Sequence, residues 1–369
     1  MTDKKCRWGV LGAAAIAMKN WDSIRNSGNG KLVAVASRSK ERSEQFIDAC
    51  QMSRPVADRP DAVEGYQTLL DRDDIDAVYV PLPTGLRKEW VIKAAQAGKH
   101  VMCEKPCAVS VADLREMIDA CRENNVQFMD GVMYMHSKRL PAIRKVLDDE
   151  NNLGQLRRIQ THFSFCAPEE FVQNNIRVSS ELEPQGCVGD LGWYTIRMCL
   201  FVMNYQLPKT VSGRQLGEHG RADSPNPVPM EFVGELQFDG GVSAGFYNSF
   251  RTDHQQLVHV SGTKGNLQLH DFVLPYFGNE LGFEVNKPVF NVDGCEFVME
   301  RHRTQHAVAE YSNNAPDAQE VNLFRNFSDL VLSGKVDPFW PEAALKTQIV
   351  MDACLESARQ GGATIELTE

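Results

Sequence analysis

From residue 7 to about 130, short apolar runs alternate with amphipathic stretches, and no other feature constrains the fold of this chain as much. Strands joined in parallel need a long crossover, which a helix supplies, so the pattern predicts a right-handed βαβ series building a doubly wound sheet. Five runs read as strands: Trp8-Gly9-Val10-Leu11, Leu32-Val33-Ala34-Val35-Ala36, Ala77-Val78-Tyr79-Val80, His100-Val101-Met102-Cys103 and Gln127-Phe128-Met129. Between the third and fourth, Trp90 to Ala97 carries helical periodicity and ends at Gly98, a suitable residue just past a helix.

Beyond about residue 135 the texture changes. A helix is expected near 138–149, followed by Arg158 to Phe165 with the partial alternation of a half-buried strand. More strand-like runs fall between about 208 and 275, separated by the hairpin signals Asp239-Gly240-Gly241 and Thr263-Lys264-Gly265-Asn266. Residues 213–229 and 276–316, rich in Gly, Pro, Asn and charge, are expected as surface loops, with helices at about 317–333 and 341–360 closing the chain. The fold class is therefore α/β: an N-terminal Rossmann doubly wound parallel sheet plus a C-terminal α/β domain with a large open, mostly antiparallel sheet. The chain of 369 residues is long enough for two cores. We divide it into a nucleotide-binding domain at 1–133 and a substrate-binding and dimerisation domain at 134–369, with the last helix, about 341–360, free to pack back on the first domain.

A net charge of −10 argues against nucleic-acid or anionic-membrane partners, which need concentrated positive charge. Ten cysteines are scattered without a C-x-x-C pair, as expected of free thiols in a reducing compartment. Met1 to Lys5 lead into a strand rather than the apolar core of a signal peptide, and no run approaches a membrane span. A soluble, cytoplasmic protein is expected.

The first strand turns into a helix at Gly9-Val10-Leu11-Gly12-Ala13-Ala14-Ala15-Ile16-Ala17, the context in which a glycine motif binds a dinucleotide. Gly12, Ala14, Ala15 and Ile16 are the expected pyrophosphate contacts, although Ala14 stands where the fingerprint has glycine. The second strand ends in Ser37-Arg38-Ser39-Lys40, with no acid to receive the ribose 2′-hydroxyl of NAD. A hydroxyl and a planar cation suit a 2′-phosphate instead, which favours NADP; alternatively Arg38 is solvated and stacks on adenine. Pro81-Leu82-Pro83-Thr84 ends the third strand, and Pro81, Pro83 and Thr84 are expected beside the nicotinamide ribose. The fourth delivers Glu104-Lys105-Pro106 to its carboxyl end, where ligands of such sheets bind, making Glu104 and Lys105 candidates for cofactor contact.

The glycine turn, Ser-Arg tip, Val-Pro-Leu-Pro-Thr, Ala-Gly-Lys-His-Val-x-x-Glu-Lys-Pro and Asp190-Leu191-Gly192-Trp193-Tyr194, in that order, closely resemble the Gfo/Idh/MocA oxidoreductase family over nearly the whole chain. The last motif looks most like the branch of dimeric dihydrodiol dehydrogenase and NADP-dependent D-xylose dehydrogenase, with its uncharacterised plant and bacterial relatives. The resemblance implies a Rossmann domain, a second domain whose open sheet is used for dimerisation, and redox chemistry on sugars, polyols or related diols. It implies that Lys105 is the catalytic lysine, Tyr194 the proton donor or acceptor, and Arg177 a residue bordering substrate. Arg87 departs from the histidine that many relatives carry after the third strand.

Oxidising an alcohol requires loss of a hydride to nicotinamide and of a proton to a base. A phenol such as Tyr194 serves as base when a neighbouring cation supports its ionised form, a field that Lys105 can supply. Asp190, four residues before Tyr194, shares its face if the segment is helical and is placed to bind substrate or hold the lysine. Which of Tyr194 and Lys105 takes the proton stays open, and so does the exact substrate. Taken singly, each is as easily a packed or capping residue; together with Glu104-Lys105-Pro106 they read as catalytic. His302 and His306 have i,i+4 spacing but lie in what reads as polar loop, so no metal is expected. The competing function is a non-catalytic NADP-binding sensor or regulatory protein.

Overall fold

β1 (Cys6–Leu11) is buried at every residue but Arg7, which donates to Asp76 and fixes the start of the strand (Nη2 to Oδ1, 2.7 Å). In this computed structural model, which describes residues 4–312 and 314–367, β1 lies at the centre of a six-stranded sheet. Its companions are β2 (Gly30–Ser37), β3 (Asp61–Glu64), β4 (Ala77–Val80), β5 (His100–Cys103) and β6 (Phe128–Asp130), in the order β3-β2-β1-β4-β5-β6 with every pair parallel. That is the doubly wound order, reversing beside β1. The crossovers are α1 (Ala15–Asn26), α2 (Lys40–Ser53), α3 (Tyr66–Leu70), α4 (Thr84–Gln96) and α5 (Val111–Glu123). β3 was not expected. It is a four-residue edge strand, Asp-Ala-Val-Glu, with a single fully buried side chain, too short and polar to leave a periodic signal.

The second sheet has nine strands, ordered β16-β13-β12-β11-β7-β10-β9-β8-β17. After α6 (Arg139–Asp148) come β7 (Leu156–Ser164), α7 (Glu169–Asn174), α8 (Trp193–Val202), β8 (Thr210–His219), β9 (Val228–Gln237), β10 (Ser243–Ser249), β11 (Gln255–Gly262), β12 (Asn266–Leu269), β13 (Glu280–Asn286), β14 (Val289–Asp293), β15 (Glu296–Glu300) and β16 (Arg303–Ala309). Only the β7–β10 pair is parallel; the remaining ladders are antiparallel. Ile159, Thr161 and Phe163 of β7 and Ala244 and Phe246 of β10 are buried on one face, where the fully buried α8 covers them and Thr161 Oγ1 donates to Thr195 O (3.3 Å). The other face carries Arg158, Gln160, His162, Glu235 and Tyr247, with Arg158 paired to Glu235. It is open and mostly polar, with Val233 beside these residues.

The chain closes with α9 (Gln319–Ser333), α10 (Phe339–Arg359) and β17 (Ile365–Glu366). The compact units are discontinuous in sequence. The first runs to His136 and adds Glu181–Pro184 and a stretch through α9 ending at Gln348; the second holds Ser137–Ser180, Gln185–Ser312 and the residues from Ile349 on. α9 belongs to the core around β1: the Trp8 ring meets Phe324 and Phe327 at 5.3 and 5.1 Å, and its Nε1 donates to Ser328 Oγ at 3.1 Å.

The expected loops at 213–229 and 276–316 need correction. β8 covers residues to 219, and β13 to β16 fill most of 280–309. Charge and glycine misled there because strands with one solvated face carry both.

Candidate active site

In the first unit the β1–α1 turn has the conformation a dinucleotide motif needs. Gly12 has φ +124°, a region disfavoured for residues with a Cβ, while its N–H donates to Ala36 O (2.9 Å) and ties the turn to β2. Ala14, the N-cap of α1, is extended at φ −91°, so a methyl there is not strained. Among the described residues no side chain caps the first turn of α1, that turn holds no acid, and Ala15 and Ile16 are exposed. Those N–H groups and the helix dipole suit a pyrophosphate.

At the tip of β2, Ser37 is buried and its carbonyl accepts from Gly65 N (2.8 Å), whereas Arg38 is exposed. Ser39 caps α2 by accepting from Arg42 N (3.4 Å), placing the start of a second helix beside Arg38. Burial raises the Tyr66 phenol, and the positive charges of Arg38 and Arg42 pull it back, so both guanidinium groups act on that ring. Glu64, opposite Ser37 in the β3 register, is an acid one strand away that the sequence pattern did not reveal.

The β4–α4 loop and the end of β5 are bound to one another. Arg87, buried in α4, donates from Nε to Leu82 O (2.6 Å) and from Nη1 to Glu104 O (2.9 Å) and Pro106 O. Thr84 is not open: its hydroxyl donates to Glu183 Oε2 at 2.6 Å and its N–H to Glu183 Oε1 at 3.1 Å. Glu183 thus caps α4 from a segment 99 residues away and faces Arg87 Nη2 at 3.9 Å. Glu104 is also inward. Its Oε1 accepts from Tyr79 Oη (2.6 Å) and Asn20 Nδ2 (3.3 Å), and its Oε2 from Lys105 N (3.1 Å). Burial, then the Glu104 carboxylate, pushes the Tyr79 phenol well above its ordinary range, so it stays a protonated donor. Lys105, joined to Pro106 by a cis peptide, is half-buried between these anchors, as are Pro83 and, more deeply, Pro81.

The second unit brings Arg177 and Asp190 together, Nε to Oδ1 at 2.8 Å. Asp190 lies in one turn of π-helix, Val188–Gly192, that runs directly into α8, where Tyr194 is in the first turn. π-helical turns recur at functional sites. Packing around Gly192 is close: a Cβ there would meet Asn248 Oδ1 at 3.1 Å and Val188 Cγ1 at 3.2 Å, so both side chains would have to give way. Tyr194 is buried with its ring edge-on to Phe163 at 5.7 Å. His302 pairs with Glu300 and His306 stacks on Phe283 from β16, so the segment read as polar loop is partly strand.

Sequence reasoning missed Asn20, Tyr79 and Glu183, and flagged Arg87 only as a departure. Asn20 had a signal: a polar residue on the apolar face of α1 with Ala17, Trp21 and Ile24. Glu183 had none.

The conserved-domain description "Oxidoreductase family, NAD-binding Rossmann fold" matches residues 6–132, and that of the GFO/IDH/MocA C-terminal domain matches 142–268. A dTDP-3,4-didehydro-2,6-dideoxy-alpha-D-glucose 3-reductase of Saccharopolyspora spinosa is 30% identical over 266 residues, 72% of this chain and 74% of that protein. The chain belongs to the Gfo/Idh/MocA oxidoreductase family. The D-xylose 1-dehydrogenase (NADP(+)) 2 of Haloferax volcanii is 28% identical over 98% of this chain and 99% of its own length. Among solved structures, a variant of KijD10, a 3-ketoreductase from Actinomadura kijaniata in complex with TDP-benzene and NADP, superposes with a TM-score of 0.78 at 25% identity, covering 96% of this chain and 98% of that one. The family read from the motifs, and the fold it implied, are borne out.

Proposed function

We propose that this Gfo/Idh/MocA oxidoreductase transfers hydride between NADP and a CH–OH or carbonyl carbon of a sugar, polyol or dihydrodiol-like substrate. The observation that carries the reading is the Glu104-Lys105-Pro106 segment at the carboxyl end of β5, held from behind by Tyr79, Asn20 and Arg87. So many buried donors fixing one short segment serve a side chain that must be placed accurately, and that side chain is Lys105. NADP is favoured over NAD by the exposed Arg38, with Arg42 acting on the same ring, and by the relatives whose names carry that cofactor.

Bound NADP would supply a hydride acceptor or donor at the nicotinamide. The chain's own groups do the rest. Gly12, Ala14, Ala15 and Ile16 would meet the pyrophosphate with backbone N–H groups, and Arg38 the 2′-phosphate through a charge-assisted contact. Tyr194 would take the substrate hydroxyl proton, Lys105 would stabilise the negative charge that develops on both oxygens, and the Arg177–Asp190 pair would bind the substrate's remaining hydroxyls.

Two further readings accompany this one. The chain would pair with a second copy through the open face of the nine-stranded sheet. It would work in the cytoplasm, a reducing compartment that suits ten free cysteines, eight of them buried. Among the described residues no helix is long and apolar enough to cross a membrane. The test of function is a panel of aldoses, polyols and cyclic diols assayed with NADP and NAD by nicotinamide absorbance. Turnover with NADP on some member is expected; tight NADP binding with no absorbance change across the panel would favour a sensor.

A further inference from the structure

β14 and β15 form a two-stranded arm that leaves the nine-stranded sheet at its β13–β16 edge. The ladder opposing Asn286 to Arg303 continues in the same register into the arm, which opposes Val289 to Glu300; between them Lys287 N donates to His302 O (2.8 Å). Side chains alternate along strands, so an unbroken register carries the two faces of the sheet into the arm. Leu281, Phe283 and Val285 point to the covered face, Gly282 and Glu284 to the open one. The arm residues in phase with the open face are Phe290 and Val292, with their partners Met299 and Phe297.

All four are apolar, with 59, 53, 64 and 67% exposure in that order, and the two phenyl rings stack at 5.9 Å. The opposite side of the arm is mixed, with Val289 and Val298 among Asn291, Asp293, Glu296 and Glu300. A two-stranded hairpin is marginal in water by itself, and one with a fully apolar side needs a cover. The choice of side is informative. The open face of the sheet is mostly polar, with Val233 and Tyr247 among Arg158, Gln160, His162 and Glu235, and the arm supplies a continuous apolar patch beside it.

We infer that the occupant is a second copy of this chain, and that each arm clasps its partner, laying Phe290, Val292, Phe297 and Met299 against the partner's sheet as the two open faces meet. The inference rests on the pairing reading given above and specifies what makes it tight. Area supports it. Nine strands about 4.8 Å apart and some 20 Å long present roughly 800 Å², which is about the share each partner contributes to a stable interface. The arm adds on the order of 400 Å² of apolar surface beyond the sheet edge. A two-fold axis makes the contact twice, once for each arm.

The test compares wild type, F290S/F297S and, on the opposite side of the arm, N291K by sedimentation velocity from nanomolar to tens of micromolar. It is combined with hydrogen exchange of the wild-type arm amides above and below the dimer dissociation constant. We expect a wild-type dimer, at least about a 30-fold weaker dimer in F290S/F297S, no change in N291K, and arm amides that exchange about tenfold more slowly in the dimer. A wild type that stays monomeric would sink the pairing reading and the arm with it. If instead the wild type dimerises, F290S/F297S dimerises as tightly, and the arm amides exchange equally at both concentrations, the arm inference is overturned while pairing stands. The exchange measurement needs no variant, so misfolding of F290S/F297S cannot obscure the result.

Discussion

Arg87 directs its guanidinium inward, to the carbonyls of Leu82, Glu104 and Pro106, and so joins the loop after β4 to the residues flanking Lys105. A histidine is too short to reach three carbonyls, and a lysine lacks the planar fork. The residue that departs from the family pattern thus ties the loop after β4 to the backbone on either side of Lys105. On the proposed function Lys105 and Tyr194 divide the reaction between them, and one substitution at each tests it. Tyr194→Phe keeps the ring against Phe163 and removes only the hydroxyl, so turnover should fall ~10²- to 10⁴-fold with NADPH binding intact. Lys105→Met should also lower turnover, and should move the acidic limb of any residual kcat profile to higher pH. Steady-state kinetics with fluorescence titration of NADPH checks both. Normal turnover in Tyr194→Phe beside an inactive Lys105→Met would make the lysine the base.

At the scale of elements, the strands of the first sheet were legible because burial on both faces leaves continuous apolar runs, and the turn after β1 because Gly12 needs a positive φ. β3 and β13 to β16 were not, since a short edge strand and strands with one solvated face look like loops in composition. The clamp on α4 was illegible for another reason. Glu183 lies 99 residues from Thr84, and nothing local announces a carboxylate that caps a distant helix. Its removal gives a prediction at this scale. Glu183→Ala strips the acceptor from a buried hydroxyl and a buried N–H, a loss of ~1–3 kcal/mol in stability. It should also loosen the Pro81–Thr84 loop, raising KM for NADP about tenfold with a smaller change in kcat. Glu183→Gln retains an acceptor and should recover most of that affinity. An Ala variant with unchanged KM and unchanged melting would mean that Glu183 holds nothing the cofactor uses.

For the whole molecule, sequence order and spatial grouping part company. Trp8 near the start meets Phe324 and Phe327 near the end, a closure that periodicity cannot encode because both segments are equally apolar wherever they pack. Glu104-Lys105-Pro106 and Asp190-Leu191-Gly192-Trp193-Tyr194 stand out in the sequence as motifs, but the contacts that hold the first of them and the loop after β4 do not, because Asn20, Tyr79 and Glu183 act between residues distant in sequence. Cofactor choice can be read from the stability of the entire chain. A ligand that binds only the folded state at 100 times its dissociation constant adds ~2.7 kcal/mol. NADP should therefore raise the melting midpoint by several degrees, while NAD at the same concentration should raise it less. Losing the charge-assisted contact of Arg38, worth ~1.5 to 3 kcal/mol, should weaken NADP roughly 10- to 150-fold in Arg38→Ala. In that variant the two cofactors should shift the midpoint by similar amounts. Scanning calorimetry over a concentration series of each cofactor measures this directly, and equal shifts by NADP and NAD in the wild type would remove the basis for assigning the 2′-phosphate to Arg38.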